Sequence, residues 1–211
     1  MPLAPENIFD DEPAPIARLL TAAANQLFTV GYQALTMDEL AHELGVSKKT
    51  LYIHFPGKDA IVGRIIDAIG LAVRTRMEEV LANPALSYTE KAAGVIDVAG
   101  TTFGRANPAM LRDLQRYAPQ LYQKIEDIRS KIVPLVFGRL IRMGIAEGKV
   151  RSDIDPAFAT EFWLQAIRGL VQPVVLDRTQ RTLAQTLKDA HDLFFAGLLT
   201  SAGRKDYEKH S

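Results

Sequence analysis

Residues 36–58 read TMDELAHELGVSKKTLYIHFPGK, and this stretch decides the fold. Thr36, three residues ahead of Glu39, starts a capping box, in which a hydroxyl and a carboxylate satisfy N–H groups that the first turn of a helix leaves without partners. The helix it opens runs to Gly45, where a residue lacking a Cβ can take the left-handed conformation that turns the chain. Val46 fills the turn, Ser47 caps the next start, and a second short helix runs from Lys48 to Phe55 before Pro56-Gly57 breaks the chain. Leu40, Leu44, Val46 and Leu51 are spaced to bury an inner face, and Ala41 is small enough for the two helices to cross closely. Two short helices joined by a tight turn form the unit that lays its second helix in the major groove of DNA.

The second helix then presents Lys48, Lys49, Thr50, Tyr52 and His54 outward. Short polar, aromatic and basic groups of this kind suit base edges and phosphates. Ser47 and the first amides of the helix can donate to a phosphate, and Lys58, opening the next helix, is placed to reach the DNA backbone.

Outward from this stretch, apolar residues recur at spacings of three and four, with Gly, Pro, Ser or Asn punctuation between the runs. The pattern predicts an all-α chain of roughly nine helices: an N-terminal three-helix helix-turn-helix domain joined by a long helix to a C-terminal helical bundle. The expected helices cover about residues 15–30, 36–44, 48–55, 58–81, 87–105, a short one starting at 108, 119–147 with Pro134 inside, 155–176 and 182–202. The expected division is a flexible arm over 1–15, a DNA-binding domain over 16–62, a ligand-binding and dimerisation domain over 63–203 and a flexible tail over 204–211. The arm reading rests on Pro2, Pro5 and Pro13 beside the acids Asp10, Asp11 and Glu12.

The chain has 25 basic and 25 acidic residues among 211, so a nucleic-acid reading rests on where charges sit and not on their sum. It has no cysteine, which removes disulfides and thiolate metal sites and fits a reducing cytoplasm. No signal peptide or membrane-spanning run is legible. His42, His54, His191 and His210 lack metal-ligand spacing, and there is no phosphate loop or nucleophile elbow. The expectation is a protein that is not an enzyme and needs no cofactor.

Leu19-Leu-Thr-Ala-Ala-Ala24, Gly31-Tyr32, Thr36-Met37, Ala41, Gly45-Val46-Ser47, Thr50-Leu51-Tyr52, His54-Phe55 and Lys58 together resemble the N-terminal DNA-binding domain of TetR-family regulators. The resemblance spans about residues 16–62 and implies an all-helical homodimer on a palindromic double-stranded operator, released when a small molecule enters the C-terminal domain. It places Thr36, Ser47, Lys48, Thr50, Tyr52, His54 and Lys58 where family members contact DNA. Lys49 stands where the family often has a small residue, and adds a base or phosphate contact. Two positions depart from the pattern: the arm is acidic where relatives are basic, and Leu27 replaces a usual aromatic.

In the second half, Phe103, Tyr117, Phe137 and Trp163 are the candidate lining of an effector cavity, with Gln165 or Arg116 as polar partners, which points to a hydrophobic or aromatic effector. The last two helices carry Ala166, Ile167, Leu170, Val174 and Val175, and Leu187, Leu193, Phe194, Leu198 and Leu199, enough apolar surface to pair two copies through four helices. Binding machinery alone does not separate repression from activation. A ligand-binding helical dimer that has lost DNA binding is the alternative.

Overall fold

The computed structural model describes residues 8–103 and 108–207. These form eleven helices and no strand: α1 Ala14–Val30, α2 Met37–Leu44, α3 Lys48–His54, α4 Lys58–Ala82, α5 Tyr88–Phe103, α6 Pro108–Tyr117, α7 Pro119–Ala146, α8 Pro156–Leu170, α9 Pro173–Thr179, α10 Leu183–Leu198 and α11 Ser201–Tyr207. The all-α architecture expected from periodicity is the one observed, and α7 runs unbroken through Pro134.

Two expected helices divide. The run over 155–176 breaks at Gln172, because Pro173 has no N–H to continue the ladder and pushes its predecessor to an extended ψ of 136°. The run over 182–202 ends at Leu198; Leu199 turns extended and bridges Val150 in an antiparallel pair. Arg151 N donates to Leu198 O at 2.9 Å and Thr200 N to Lys149 O at 2.9 Å, so backbone groups freed by the break find partners across the chain. Thr200 Oγ1 then accepts from Gly203 N at 3.1 Å and opens α11.

Both expected flexible ends are partly packed. The arm reading does not hold for its second half, where Phe9 is 1% exposed and Glu12 pairs with Arg64 of α4. Its first seven residues lie outside the described ones. The charged tail is helical as far as Tyr207, held by a Lys149–Asp206 ion pair and by the Tyr207 hydroxyl, which donates to Asp192 Oδ1 at 2.7 Å. Residues 208–211 lie outside the described ones.

The chain divides into two compact units, Met1–Ala72 with Arg105–Glu126, and Val73–Gly104 with Asp127–Ser211. The first therefore contains α1 to α3, the start of α4, α6 and the first turns of α7. Its core includes Leu20, Ala23, Leu27, Leu35, Leu40, Leu51, Ile61, Ile65 and Leu114. In this unit α1 packs on α2 and α6. Gly31 ends α1 at φ 91°, a region L side chains rarely adopt, and a Cβ there would lie 3.0 Å from Asp113 Oδ2. The second unit packs α10 on α5 and α8, and α11 on α5. Its aromatic centre joins Phe137 of α7, Trp163 of α8 and Phe194 of α10, with ring centroids 4.8 and 4.9 Å from Trp163. Among the described residues, no helix is long and apolar enough to cross a membrane.

Candidate nucleic-acid interface

The helix-turn-helix is assembled by the local signals that mark it. Thr36, extended at φ −131°, accepts from Glu39 N at 3.1 Å and caps α2. The reciprocal bond goes to the Thr36 hydroxyl, which donates to Glu39 Oε2 at 3.2 Å. Gly45 takes the left-handed conformation at φ 67°, ψ 32°. Ser47 caps α3 by accepting from Thr50 N at 3.1 Å, and the Ser47 and Thr50 hydroxyl oxygens lie 2.9 Å apart.

The inner face is narrower than the sequence suggests. Leu40 and Leu51 are fully buried and Leu44 is half-buried, but Val46 is 37% exposed. The left-handed turn at Gly45 carries Val46 to the surface, so it does not fill the core as expected. Phe55, just past α3, is half-buried.

Around Leu51 the outer face of α3 presents Lys48, Lys49, Thr50, Tyr52, Ile53 and His54, all exposed. Thr36 and Ser47 are exposed at the helix starts. The interface is not uniformly cationic in the unbound chain, because the Lys48 ammonium pairs with Asp38 of α2, both more than half exposed. Lys58 stands apart from the others. Its ammonium donates to the carbonyls of Tyr32 at 3.0 Å and Leu35 at 3.2 Å and sits 4.1 Å from the Tyr32 ring centroid. It therefore closes the loop after α1 onto the start of α4 before any DNA arrives.

The neighbouring residues continue this bracing. The Tyr32 hydroxyl donates to Asp59 Oδ1 at 2.5 Å, and Gln120 Nε2 donates to Asp59 Oδ2 at 3.0 Å. Burial, then the Asp59 carboxylate, pushes the Tyr32 phenol well above its usual range, so it stays a donor. Gln33 N donates to Asp113 Oδ2 at 3.2 Å, tying α6 to the same loop. Asp38, Asp59, Asp113 and Gln120 were missed as functional positions. The capping stretch itself signals Asp38; the other three become visible only when distant segments meet.

The candidate effector residues fall in both compact units. Phe137 and Trp163 pack with their rings tilted at 35° within the second unit, 4% and 1% exposed. Tyr117 belongs to the first unit, is 48% exposed and has Arg116 5.3 Å from its ring centroid. The Phe103 side chain lies outside the described residues. Gln165 is exposed and donates to Glu161 at 2.6 Å, so it does not face the aromatic centre as expected. A polar group found at that centre is Trp163 Nε1, buried without a hydrogen-bond partner.

The expected pairing surface is also redistributed. Ile167, Leu187, Phe194, Leu198 and Leu199 are buried within the chain. Leu193 and Val174 remain outside, 78% and 70% exposed, and Phe158 and Phe162 of α8 join them at 65% and 55%.

Comparison with known proteins supports the same reading. The family described as bacterial regulatory proteins, tetR family, matches residues 19–65. The nucleoid occlusion factor SlmA of Alteromonas mediterranea is 30% identical over 138 residues, 64% of this chain and 68% of that protein. An HTH-type transcriptional regulator of Bacillus subtilis, YvaF, is 21% identical over 165 residues, 78% of this chain and 86% of that one. The crystal structure of a transcriptional regulator from Cytophaga hutchinsonii superposes with a TM-score of 0.71 at 16% identity, covering 89% of this chain and all of that one.

Proposed function

The chain belongs to the tetR family of bacterial regulatory proteins and is a DNA-binding transcriptional regulator; from that premise we propose that it is a repressor whose homodimer grips a palindromic operator and lets go when a small apolar molecule binds. DNA binding is assigned to residues 16–62 and sensing and dimerisation to 63–203. The observation that carries the reading is the exposure of Lys48, Lys49, Thr50, Tyr52 and His54 around buried Leu51 on a capped helix. With Thr36, Ser47 and Lys58 these form the proposed contact set. Lys58 joins it through whatever donor capacity its two loop carbonyls leave.

Pairing of two copies rests on Phe158, Phe162 and Leu193, large apolar side chains that α8 and α10 leave uncovered. Phe158 and Phe162, four residues apart, lie on one face of α8. The effector reading rests on the aromatic centre of Phe137, Trp163 and Phe194, which suits an apolar or aromatic molecule. α4 contributes residues to both compact units, and so does α7, giving an effector a covalent route to α3. Half-sites read by a dimer lie about 34–36 Å apart or at multiples of this, so a change in α3 separation weakens binding. The effector acts only through its different affinity for the two states. As a regulator of bacterial genes the protein works in the cytoplasm, with no catalytic step.

The test is selection from a random duplex pool, read by sequencing, with Tyr52→Ala alongside. Wild type should recover a palindrome and the variant should not, while both remain folded dimers. A folded dimer that enriches nothing would leave the DNA-silent ligand-binding reading in its place.

A further inference from the structure

Ile53 is 72% exposed, more than any other large hydrophobic side chain described in the first unit. It lies two residues from buried Leu51, which puts the two on opposite sides of α3, and four residues from Lys49, which puts those two on one face. Lys49, Tyr52 and His54 flank it, all exposed. A β-branched side chain here neither fills the core nor favours the helix. Isolated exposed apolar residues are common on proteins. This one stands at the middle of the face assigned to the major groove, where its surroundings are base edges.

Ile53 has no donor or acceptor, so it cannot read the hydrogen-bonding pattern of guanine, adenine or cytosine. The one apolar group that the major groove displays is the C5 methyl of thymine. We propose that Ile53 reads a thymine methyl in each operator half-site, as a specificity-determining contact within the DNA interface. The inference rests on the assignment of α3 to the major groove. Burying the methyl against the isoleucine excludes water from both, and the contact needs no polar partner.

The probe is the operator duplex recovered by selection, with single thymidines replaced by deoxyuridine, a change that removes only the methyl. At about 0.8 kcal/mol per buried methyl-sized group, one position per half-site should weaken wild-type binding about four-fold when replaced. Ile53→Ala, which changes both protomers, should bind the unmodified operator about fifteen-fold more weakly, the square of the single-site factor, and lose its response at that position alone. Its fold is safe, since Ile53 is exposed and alanine is the better helix former. Ile53→Gln should shift the preferred base there toward adenine, whose N6 and N7 match a side-chain amide. Wild type that binds its operator but responds to no deoxyuridine, or an Ile53→Ala profile superposing on wild type, would overturn the Ile53 contact and leave the DNA interface standing. Wild type that recovers no operator would overturn both.

Discussion

The two compact units hold their polar groups in different settings. In the first, Tyr32, Lys58, Asp59 and Gln120 form a chain in which each group has a partner: carbonyls for the ammonium, a carboxylate for the phenol and an amide for the carboxylate. In the second, Trp163 Nε1 ends without a partner among packed aromatic rings. A fully satisfied network fixes one arrangement, while each unpaired buried group costs stability that an alternative arrangement or a ligand can recover. DNA reading demands fixed side-chain positions on α3, and sensing demands a core that can rearrange. Gln26 Oε1 of the first unit is also buried without a partner, so the contrast is between the Lys58 cluster and the aromatic centre, not between the units as wholes.

The largest effect that would break this comparison is the loss of Lys58. Its ammonium makes two charge-assisted bonds and lies against the Tyr32 ring. At about 1.5–3 kcal/mol per hydrogen bond to a charged group, discounted for partial exposure, Lys58→Met should cost about 4 kcal/mol in urea denaturation. Operator binding should fall further than stability accounts for, because the loop after α1 and the start of α4 separate. Lys58→Arg should recover part of the stability. A cost below about 1 kcal/mol would show that the satisfied cluster does not support the interface.

The next sharpens the other side. Burial holds the His191 imidazole down at about 4, against the opposing pull of Asp192. Asp192 keeps its own charge through Lys188 and Tyr207, and the Ala92 carbonyl also faces the ring. His191 is therefore neutral in the folded chain at pH 7 and protonates there only near pH 4, whereas in the unfolded chain it protonates near pH 6.5. Between those values the unfolded state binds the extra proton, so stability should fall as pH drops from 6.5 to 4, by on the order of 3 kcal/mol. His191→Phe should remove this part of the acid dependence when urea midpoints are followed against pH. An unchanged profile would show that the imidazole is not held neutral by its surroundings.

Legibility follows the same line between local and distant causes. Thr36, Gly45 and Ser47 act through bonds to residues within a few positions, so their roles could be read in order along the chain. Pro173 carried its own signal for the break between α8 and α9, outweighed by the apolar run around it. The end of α10 at Leu198 had none, because it depends on the bridge to Val150 from a distant segment. Phe9 was hidden by the prolines and acids around it, and Ile53 carries no polar group to mark it as a contact. Phe137 and Trp163 are legible as aromatics, but their contact is not, because it joins two separate helices. Composition finds candidates for a core; only tertiary packing sorts them.

The smallest predicted effect concerns an ion pair that the interface must break. Lys48 cannot both hold Asp38 and neutralise a phosphate at full strength, and the pair is exposed on both sides. An exposed pair contributes about 0–1 kcal/mol, so releasing it costs little. Asp38 sits in the first turn of α2, where its charge favours the helix by about 0.3–1 kcal/mol, so Asp38→Asn should lower stability slightly. Operator affinity should move the opposite way, rising a few-fold at low salt as a negative charge leaves the DNA face and Lys48 is released. The slope of log affinity against log salt should steepen by up to about one, and the two proteins should converge at high salt. Opposite signs for stability and affinity separate a charge at the interface from a general loosening of α2. Equal affinity and equal slope would place Lys48 outside the phosphate contacts and leave the outer face of α3 to be read through Lys49, Thr50, Tyr52 and Ile53.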